Sequence, residues 1–219
     1  MEEKRFVPAL GLHALTPLYD LVVRLGTPER AFRGALVEQA GIRPGHRVLD
    51  VGCGTGTLAV AVKAAHPAAE VTGVDLDERV LDRAREKARR AGVEARFERA
   101  SATALPYAAD AFDRVLSSMM LHHLAREEKR AALAEALRVL TPGGELHVAD
   151  WGRPHNARMW VAFTLARGFD GWSRMGDVAE GVLPRLLAEA GFVDVEEGRR
   201  FGTAYGTLAL FRARREGGR

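Results

Sequence analysis

The regular alternation of strand and helix patterns between residues 47 and 150 constrains the fold more than any other feature of the chain. Short apolar or alternating runs, which are typical of strands, cover Arg47–Val51, Glu70–Asp75, Glu94–Glu98, Asp113–Ser118 and Glu145–Asp150. Helical patterns fill the intervals and cover Thr57–Ala65, Asp77–Ala91 and Glu127–Leu140. Strands joined by helices make right-handed crossovers, so the pattern predicts a parallel sheet with helices on both faces.

The two ends of the chain depart from this alternation. Before residue 45 the apolar residues recur with helical spacing, which predicts helices there. After a further helix at Leu183–Ala190, two strand-like runs follow each other closely, Val193–Glu197 and Thr203–Arg212. Too few residues separate these runs for a helix, so we expect them to pair as an antiparallel hairpin at the edge of the sheet.

The composition is that of a globular protein and argues against several functional classes. Of the 219 residues, 47% are hydrophobic and 28% are charged. Cys53 is the single cysteine and no Cys/His cluster has zinc spacing, which points to a reducing, cytoplasmic location. The 32 basic and 29 acidic residues alternate along the chain, so no nucleic-acid partner is expected. Neither a signal peptide nor an apolar run of about 18 residues is visible, so no transmembrane segment is expected.

One predicted strand runs directly into a glycine-rich turn. Residues Val48–Gly56 form an apolar strand followed by GxGxG, and glycines allow both a tight turn and the close approach of a ligand to the backbone. Asp75 ends the next strand, where a carboxylate accepts hydrogen bonds from ribose hydroxyls. Together these features predict a nucleoside-containing cofactor.

The charge beside this turn indicates which cofactor fits. Asp50 lies two residues before Gly52, and its carboxylate would repel the pyrophosphate of a dinucleotide. A GxGxxG fingerprint would also need glycine at Thr57. The same carboxylate suits the ammonium group and the sulfonium centre of S-adenosylmethionine, so this cofactor is favoured.

At these residues the sequence resembles the class I S-adenosylmethionine-dependent methyltransferases. Their pattern of an acid followed by GxGxG is matched by Asp50, Gly52, Gly54 and Gly56. Four further segments resemble the subgroup that contains the quinone-biosynthesis methyltransferases: Leu105–Tyr107, Ala111–Asp113, Leu121–Leu124 and Arg138–Gly144. The resemblance implies an enzyme that transfers a methyl group from S-adenosylmethionine to a small, hydrophobic or aromatic acceptor.

The resemblance also implies which residues bind the cofactor. Asp75 would hold the ribose, Leu76 would lie against the adenine, and Ser101 would stand where the subgroup usually has an acid that accepts from the adenine amine. A serine accepts this hydrogen bond more weakly. The full implied set is Asp50, Gly52, Cys53, Gly54, Asp75, Leu76, Ser101, Ala102 and Ser117.

Candidate residues for the acceptor lie after the fourth and fifth predicted strands, at the edge where open parallel sheets bind ligands. His122 is the candidate general base, and the alternative is that it only packs locally. His123, Trp151 and Tyr19 are the candidate substrate-binding residues, with Tyr19 assigned by the resemblance. Trp151 begins an aromatic insert that forms either core or the wall of an acceptor pocket. Asp150 stands almost alone, so no metal is expected.

We therefore predict one methyltransferase domain over residues 1–219. Residues 1–44 form an N-terminal helical cap, residues 45–150 the cofactor-binding core, and residues 151–219 a substrate-side insert followed by the edge hairpin. The expected fold is α/β, with a Rossmann-like, seven-stranded, mostly parallel sheet, helices on both faces and a C-terminal antiparallel hairpin.

Two alternative functions remain open. A nicotinamide-dependent oxidoreductase is disfavoured by Asp50 and Thr57, and the binding of labelled cofactors would distinguish it. A module that binds S-adenosylmethionine without turnover is the other, because methyl transfer needs no dedicated side chain. The expected partner is a small-molecule acceptor, and a lipid or quinone acceptor would bring the chain to a membrane surface.

Overall fold

The computed structural model describes residues 29–160, 177, 180–203 and 206–218 of the chain. Within these residues the helices are α1 (Glu29–Gln39), α2 (Thr57–Ala65), α3 (Glu78–Ala91), α4 (Arg126–Val139) and α5 (Leu183–Glu189). The strands are β1 (Arg47–Val51), β2 (Glu70–Asp75), β3 (Arg96–Arg99), β4 (Phe112–Ser118), β5 (Leu140–Gly152), β6 (Val193–Gly202) and β7 (Thr207–Arg214). A 3₁₀ turn, Leu121–His123, follows β4.

The seven strands form one sheet in the order β3-β2-β1-β4-β5-β7-β6. Strands β1 to β5 run parallel, and β7 pairs antiparallel with both β5 and β6. The predicted fold class is confirmed. Because the chain moves outward from β1 to β3 and then returns to β4 on the other side of β1, the order reverses between β1 and β4, where open α/β sheets bind their ligands.

The sheet separates two buried apolar clusters. Successive strand residues point to opposite faces. Val48 and Leu116 belong to the cluster beneath α1, α2 and α3, whereas Leu49 and Val115 belong to the cluster beneath α4 and α5. The helices therefore cover both faces, as the alternation predicts, and hold the carboxyl ends of the strands at a common edge.

The boundaries of β3 and β5 differ from the predicted ones. Strand β3 begins two residues later than expected. Strand β5 begins at Leu140, so the Pro142–Gly144 segment, predicted to end a helix, lies inside the strand as a bulge. There Gly143 N–H donates to Arg215 O at 3.1 Å and Arg215 N–H donates to Gly144 O at 2.9 Å. Pairing with a distant segment thus keeps these turn-forming residues within the sheet, which local sequence does not reveal.

The edge strand β6 is longer than predicted and mostly exposed. It extends to Gly202, and β7 begins at Thr207 rather than Thr203. Two register shifts interrupt its pairing with β7, and charged residues fill most of its middle. An edge strand with both faces in solvent lacks the apolar alternation on which strand prediction depends.

Several predicted features lie outside the described residues. These are Tyr19 and the helices expected before residue 29, Trp172, and most of the apolar segment that begins at Met159. In the described ranges, no helix is both long and apolar enough to cross a bilayer.

Candidate functional site

The turn after β1 depends on its glycines. Gly52, Gly54 and Gly56 adopt φ values of 71°, 51° and 71°, a left-handed region that other residues enter at a cost. The backbone N–H groups of Gly52 and Cys53 both donate to Val74 O at 2.9 Å, which fastens the turn to β2. A Cβ atom on Gly52 would lie 2.2 Å from Met120 Cγ and 2.8 Å from Met120 Cβ. Both backbone conformation and packing therefore require glycine at position 52.

Asp75 positions the same turn from the end of β2. Its Oδ2 accepts from Gly54 N–H at 2.9 Å and its Oδ1 accepts from Asp77 N–H at 3.1 Å. A carboxylate oxygen has two lone pairs, so each retains capacity for a ligand donor. The predicted ribose-binding carboxylate therefore lies directly beside the glycine turn.

A cleft of about 310 Å³ opens between this turn and the end of β4, within the size range of small-molecule sites. Six of the predicted site residues line it: Asp50, Gly52, Cys53, Gly54, Asp75 and His123. Six polar or methionine residues that were not predicted also line it: Arg33, Thr55, Thr57, Ser118, Met119 and Met120. The cleft lies at the predicted edge of the sheet.

Two side chains in this cleft have buried oxygens without hydrogen-bond partners among the described residues. Asp50 is only 1% exposed, and neither of its carboxylate oxygens is hydrogen bonded. The hydroxyl oxygen of Ser118 is likewise unpartnered. Burial raises the pKa of Asp50 to about 7, and the positive charge of Arg33 only partly opposes this rise. Such unsatisfied groups need an explanation, and a cationic ligand such as the ammonium or sulfonium of S-adenosylmethionine fits them.

The end of β4 adopts a strained conformation beside the cleft. Met119 has a φ of 58°, which is rare for a residue other than glycine. Its N–H donates to Ala149 O at 2.8 Å on the neighbouring strand, which holds the backbone in place. Strain of this kind concentrates at functional sites, where the surrounding structure maintains it.

Four of the predicted cofactor residues do not line the cleft. Leu76 is 56% exposed beside Asp75, so its apolar side chain is available to a ring. Ser101 accepts from Thr103 N–H at 3.2 Å, and Ala102 packs at the margin of a core cluster. The Ser117 hydroxyl donates to Val51 O at 3.1 Å and is buried, so the serine side chain that reaches the cleft is that of Ser118.

His122 is held by a buried carboxylate that the sequence left without a role. His122 Nδ1 lies 2.7 Å from Asp150 Oδ1, and the His122 N–H donates to Asp150 Oδ2 at 3.2 Å. Trp151 N–H also donates to Asp150 Oδ1 at 2.7 Å. Burial alone would raise the pKa of Asp150, but the hydrogen-bonded His122 holds it below its usual value. Because an ionised carboxylate only accepts, Nδ1 carries a proton, and in the neutral imidazole Nε2 is then the acceptor.

A second, smaller cavity of about 40 Å³ is lined by His122. Its wall includes the His122–Asp150 pair, Trp151 and apolar residues from around α5 and β7, among them Val182 and Phe211. The rings of His122 and His123 are 3.9 Å apart, and the ring of Trp151 is 6.3 Å from that of His122. Since His123 lines the larger cleft, the two histidines connect both spaces.

Gly52→Ala is expected to lower the free energy of unfolding by about 2–3 kcal/mol, from the left-handed backbone and the overlap with Met120. Gly54→Ala is the matched control, since its φ is also positive but a Cβ atom there would meet nothing within 4 Å. Gly54→Ala should lower the free energy of unfolding by only about 1–2 kcal/mol, the cost of placing alanine in a left-handed backbone conformation. Urea unfolding measures both values, and equal losses would contradict the steric argument.

Comparison with known proteins identifies the family. A model described as a methyltransferase domain matches residues 48–144. A demethylmenaquinone methyltransferase of Thermus thermophilus is 40% identical over 153 residues, which are 69% of each chain. A ubiquinone/menaquinone biosynthesis C-methyltransferase of Cupriavidus necator is 34% identical over 188 residues, 81% of this chain and 74% of that one. The chain belongs to the S-adenosylmethionine-dependent methyltransferases.

The structure of a methyltransferase of this type from Aquifex aeolicus shares the fold. It has a TM-score of 0.66 at 19% identity and covers 90% of this methyltransferase and 97% of its own chain. The family match and the relatives confirm the expected family, enzyme class and cofactor, and the solved structure confirms the fold. Residues 48–144 contain the glycine turn, Asp75 and His122, whereas Asp150 and Trp151 lie beyond them. The family match therefore covers the cofactor side of the site more fully than the acceptor side.

Proposed function

We propose that this methyltransferase acts on a small, apolar ring acceptor that binds beside Trp151, and that His122 accepts the proton that the acceptor loses. The observation that carries the proposal is the buried His122–Asp150 pair, which lines the smaller cavity, while the adjacent His123 lines the cofactor cleft. His122 would then border the acceptor, and His123 the cofactor.

The names of two relatives support the class of acceptor. They refer to demethylmenaquinone and to ubiquinone and menaquinone biosynthesis, which are quinone compounds. The cavity beside Trp151 has apolar side chains as well as charged ones in its wall, and at about 40 Å³ it would take only one edge of a flat, hydrophobic ring. On these two grounds we propose that this enzyme also methylates a quinone-type acceptor.

The residues of the cleft would hold the cofactor, which supplies an electrophilic methyl group when bound. Asp75 would accept hydrogen bonds from the ribose hydroxyls, and Asp50 would face positive charge. Leu76, Ser101 and Ala102 would lie around the adenine. The protein's main contribution to methyl transfer is alignment, which is worth up to roughly 7–11 kcal/mol.

His122 would contribute a further step when the acceptor carries an acidic hydroxyl or carbon. Its Nε2 takes the proton as the new bond to the methyl group forms, while Asp150 keeps the imidazole in the required tautomer. General-base catalysis of this kind adds about 10²–10⁴-fold to a rate. His123 and Trp151 would form the wall against which the acceptor packs.

The proposed acceptor also suggests where the enzyme works. Nucleic-acid amino methyltransferases carry an Asn or Asp, two prolines and an aromatic residue after the fourth strand, and here that place reads Ser117–Met120. We therefore infer a small-molecule acceptor, and no nucleic acid, for a cytoplasmic enzyme. A quinone acceptor would bring it to the membrane surface, which co-sedimentation with quinone-loaded vesicles would test.

Asp75→Ala tests the cofactor assignment. S-adenosylmethionine should bind the parent enzyme in calorimetry while NAD does not, and the variant should bind it roughly 10- to 100-fold more weakly, as a lost hydrogen bond to a charged group predicts. Asp77→Ala is the control, because the Asp77 side chain accepts from Arg79 N–H at the start of α3 and does not line the cleft. Tight NAD binding, or unchanged affinity in Asp75→Ala, would refute the assignment.

A further inference from the structure

The smaller cavity beside His122 also contains a buried ammonium group. Lys129 lies on α4 and lines this cavity, and its side chain is only 6% exposed. An ammonium group has three N–H donors. Within the part of the chain that the structure describes, the one acceptor of Lys129 Nζ is Asp177 Oδ2, at 2.7 Å. Because a buried N–H without an acceptor is costly, an oxygen that enters the cavity would be favoured there.

The carboxylate that holds Lys129 is shared with a second cation. Arg126 donates to Asp177 Oδ1 through Nε at 2.8 Å and also through Nη2. Burial alone would raise the pKa of Asp177, but hydrogen bonds from Lys129 and Arg126 hold it below its usual value. Glu180, the other carboxylate paired with Arg126, is mostly exposed and adds little. One buried negative charge therefore faces two positive ones, and the charge of Lys129 is only partly offset.

The other charged residues of the cavity wall do not use up this positive charge. Asp150 is held by His122, and Glu197 Oε1 accepts at 2.7 Å from an arginine of its own strand. Arg153 is exposed to solvent. Among the described residues of the wall, Lys129 is therefore the buried cation with donors to spare.

His122 and Lys129 line the same small cavity from different elements. His122 belongs to the 3₁₀ turn after β4, and Lys129 lies near the start of α4. Since the cavity takes only one edge of a ring, a substituent on that edge would lie close to both side chains. A hydroxyl suits both, because its hydrogen can go to His122 Nε2 while its oxygen accepts from Lys129 Nζ. A methyl group suits neither.

We propose that Lys129 Nζ binds a ring oxygen of the acceptor and stabilises it as an anion once His122 has taken its proton. The O–H bond breaks, the proton passes to His122 Nε2, and the electron pair stays on the oxygen beside the ammonium group. The imidazolium that forms is balanced by Asp150. Fixed positive charge at the point where negative charge develops is an effective form of catalysis.

The inference rests on the proposed function and adds to it a residue that selects the acceptor. An ionised oxygen donates electron density into its ring, which makes the ring a better nucleophile toward the methyl group. Lys129 would therefore favour rings with an ionisable hydroxyl over rings of the same shape without one.

The ionisation of a chromogenic acceptor analogue tests this role. 4-Nitro-1-naphthol absorbs differently as a phenol and as a phenolate, so an absorbance titration with saturating enzyme measures the pKa of the bound hydroxyl. Lys129→Met removes the ammonium group but keeps an unbranched side chain. It should raise the pKa of the bound probe by about one to three units. It should also lower kcat with a reduced naphthoquinone by roughly 10- to 100-fold, with S-adenosylhomocysteine affinity unchanged.

Two further variants separate this role from that of a structural ion pair. Arg126→Met removes the other cation from Asp177, but Arg126 does not line the cavity, so the pKa of the bound probe should change little. Asp177→Asn breaks the same ion pair from its other end and removes a nearby negative charge. It should lower the pKa of the bound probe, the opposite of Lys129→Met. If Lys129 served only to hold Asp177, both substitutions would act in the same direction.

The outcomes distinguish the inference from the proposed function. An unchanged probe pKa in Lys129→Met, or an equal rise in Arg126→Met, would overturn the inference, while methylation of the reduced naphthoquinone by the parent would leave the proposed function standing. A rise in Asp177→Asn would overturn the inference even if Lys129→Met does not fold in urea-unfolding measurements. If the parent neither binds the probe nor methylates the reduced naphthoquinone, the proposed function fails and the inference fails with it.

Discussion

Replacement of His122 by alanine is expected to lower turnover by about 100-fold or more while cofactor affinity changes little. The expected loss is that of a general base. His122 borders the smaller cavity, and its Nδ1 is occupied by Asp150, so Nε2 is the ring nitrogen left to accept a proton. The measurement is kcat with S-adenosylmethionine and a reduced naphthoquinone as acceptor, together with cofactor affinity from calorimetry.

Two further variants separate a base from a packing residue. Asp150→Asn should also lower kcat, because an amide no longer fixes the tautomer of His122 as a carboxylate does. His46→Ala is the control, since His46 lies just before β1, at the opposite edge of the sheet from the cleft. A rise in the acceptor's KM without a fall in kcat would assign His122 to acceptor positioning. Unchanged kcat and KM would leave alignment alone as the mechanism.

Asp50→Asn should stabilise the unliganded protein by about 1–3 kcal/mol at pH 7 and weaken cofactor binding by at least about 100-fold. The pKa of Asp50 is raised from 3.8 to about 7 by burial. The unfolded chain therefore binds fewer protons than the folded one between these values, and stability falls as pH rises through this window. Across this window the free energy of unfolding of the parent should fall by about 4 kcal/mol. The variant avoids this loss but gains less than the full amount, because its buried amide has no hydrogen-bond partner. Loss of the charge removes the partner of the cofactor's ammonium.

Urea unfolding over a pH series tests this account of Asp50. The difference between Asp50→Asn and the parent should grow from pH 4 to pH 7 and then level off. Asp113→Asn is the opposite control: burial tends to raise the pKa of Asp113, but hydrogen bonds from Arg47 hold it below its usual value. That substitution should destabilise the protein above pH 4. An Asp50→Asn variant that is less stable at every pH would contradict the account.

The parts of the fold that the sequence predicted are those set by local pattern. Strands β1, β2 and β4 begin and end within a residue of the predicted limits, because each is buried and flanked by turn residues. The bulge in β5 was missed, because it depends on the pairing with β4 and on hydrogen bonds to Arg215. Strand β6 was predicted only as far as Glu197, because charged residues fill the rest of it. Local propensity carries no information about a partner as distant in sequence as Arg215 is from the bulge.

The candidate site likewise contains residues that local pattern predicts and residues that only tertiary contacts bring together. The glycine turn and Asp75 were predictable because one contiguous βαβ unit contains both. The role of Asp150, the contacts of Lys87 with Thr55 and Thr57, and the presence of Arg33 in the cleft arise from tertiary contacts, so residue type and spacing gave no signal for them. The choice between Ser117 and Ser118 depended on strand register, where a shift of one residue reverses the face.

The exposed edge strand has a consequence for how the molecules behave at high concentration. An open sheet edge is a template on which a second chain can add a strand. In β6 this template is interrupted by two register shifts and by a backbone with positive φ at Asp194, and its side chains include Glu196, Arg199 and Arg200. Like charges brought face to face and an irregular backbone both oppose growth of the sheet from one molecule into the next. The charged residues that made this strand appear shorter in the sequence thus also protect the protein against aggregation.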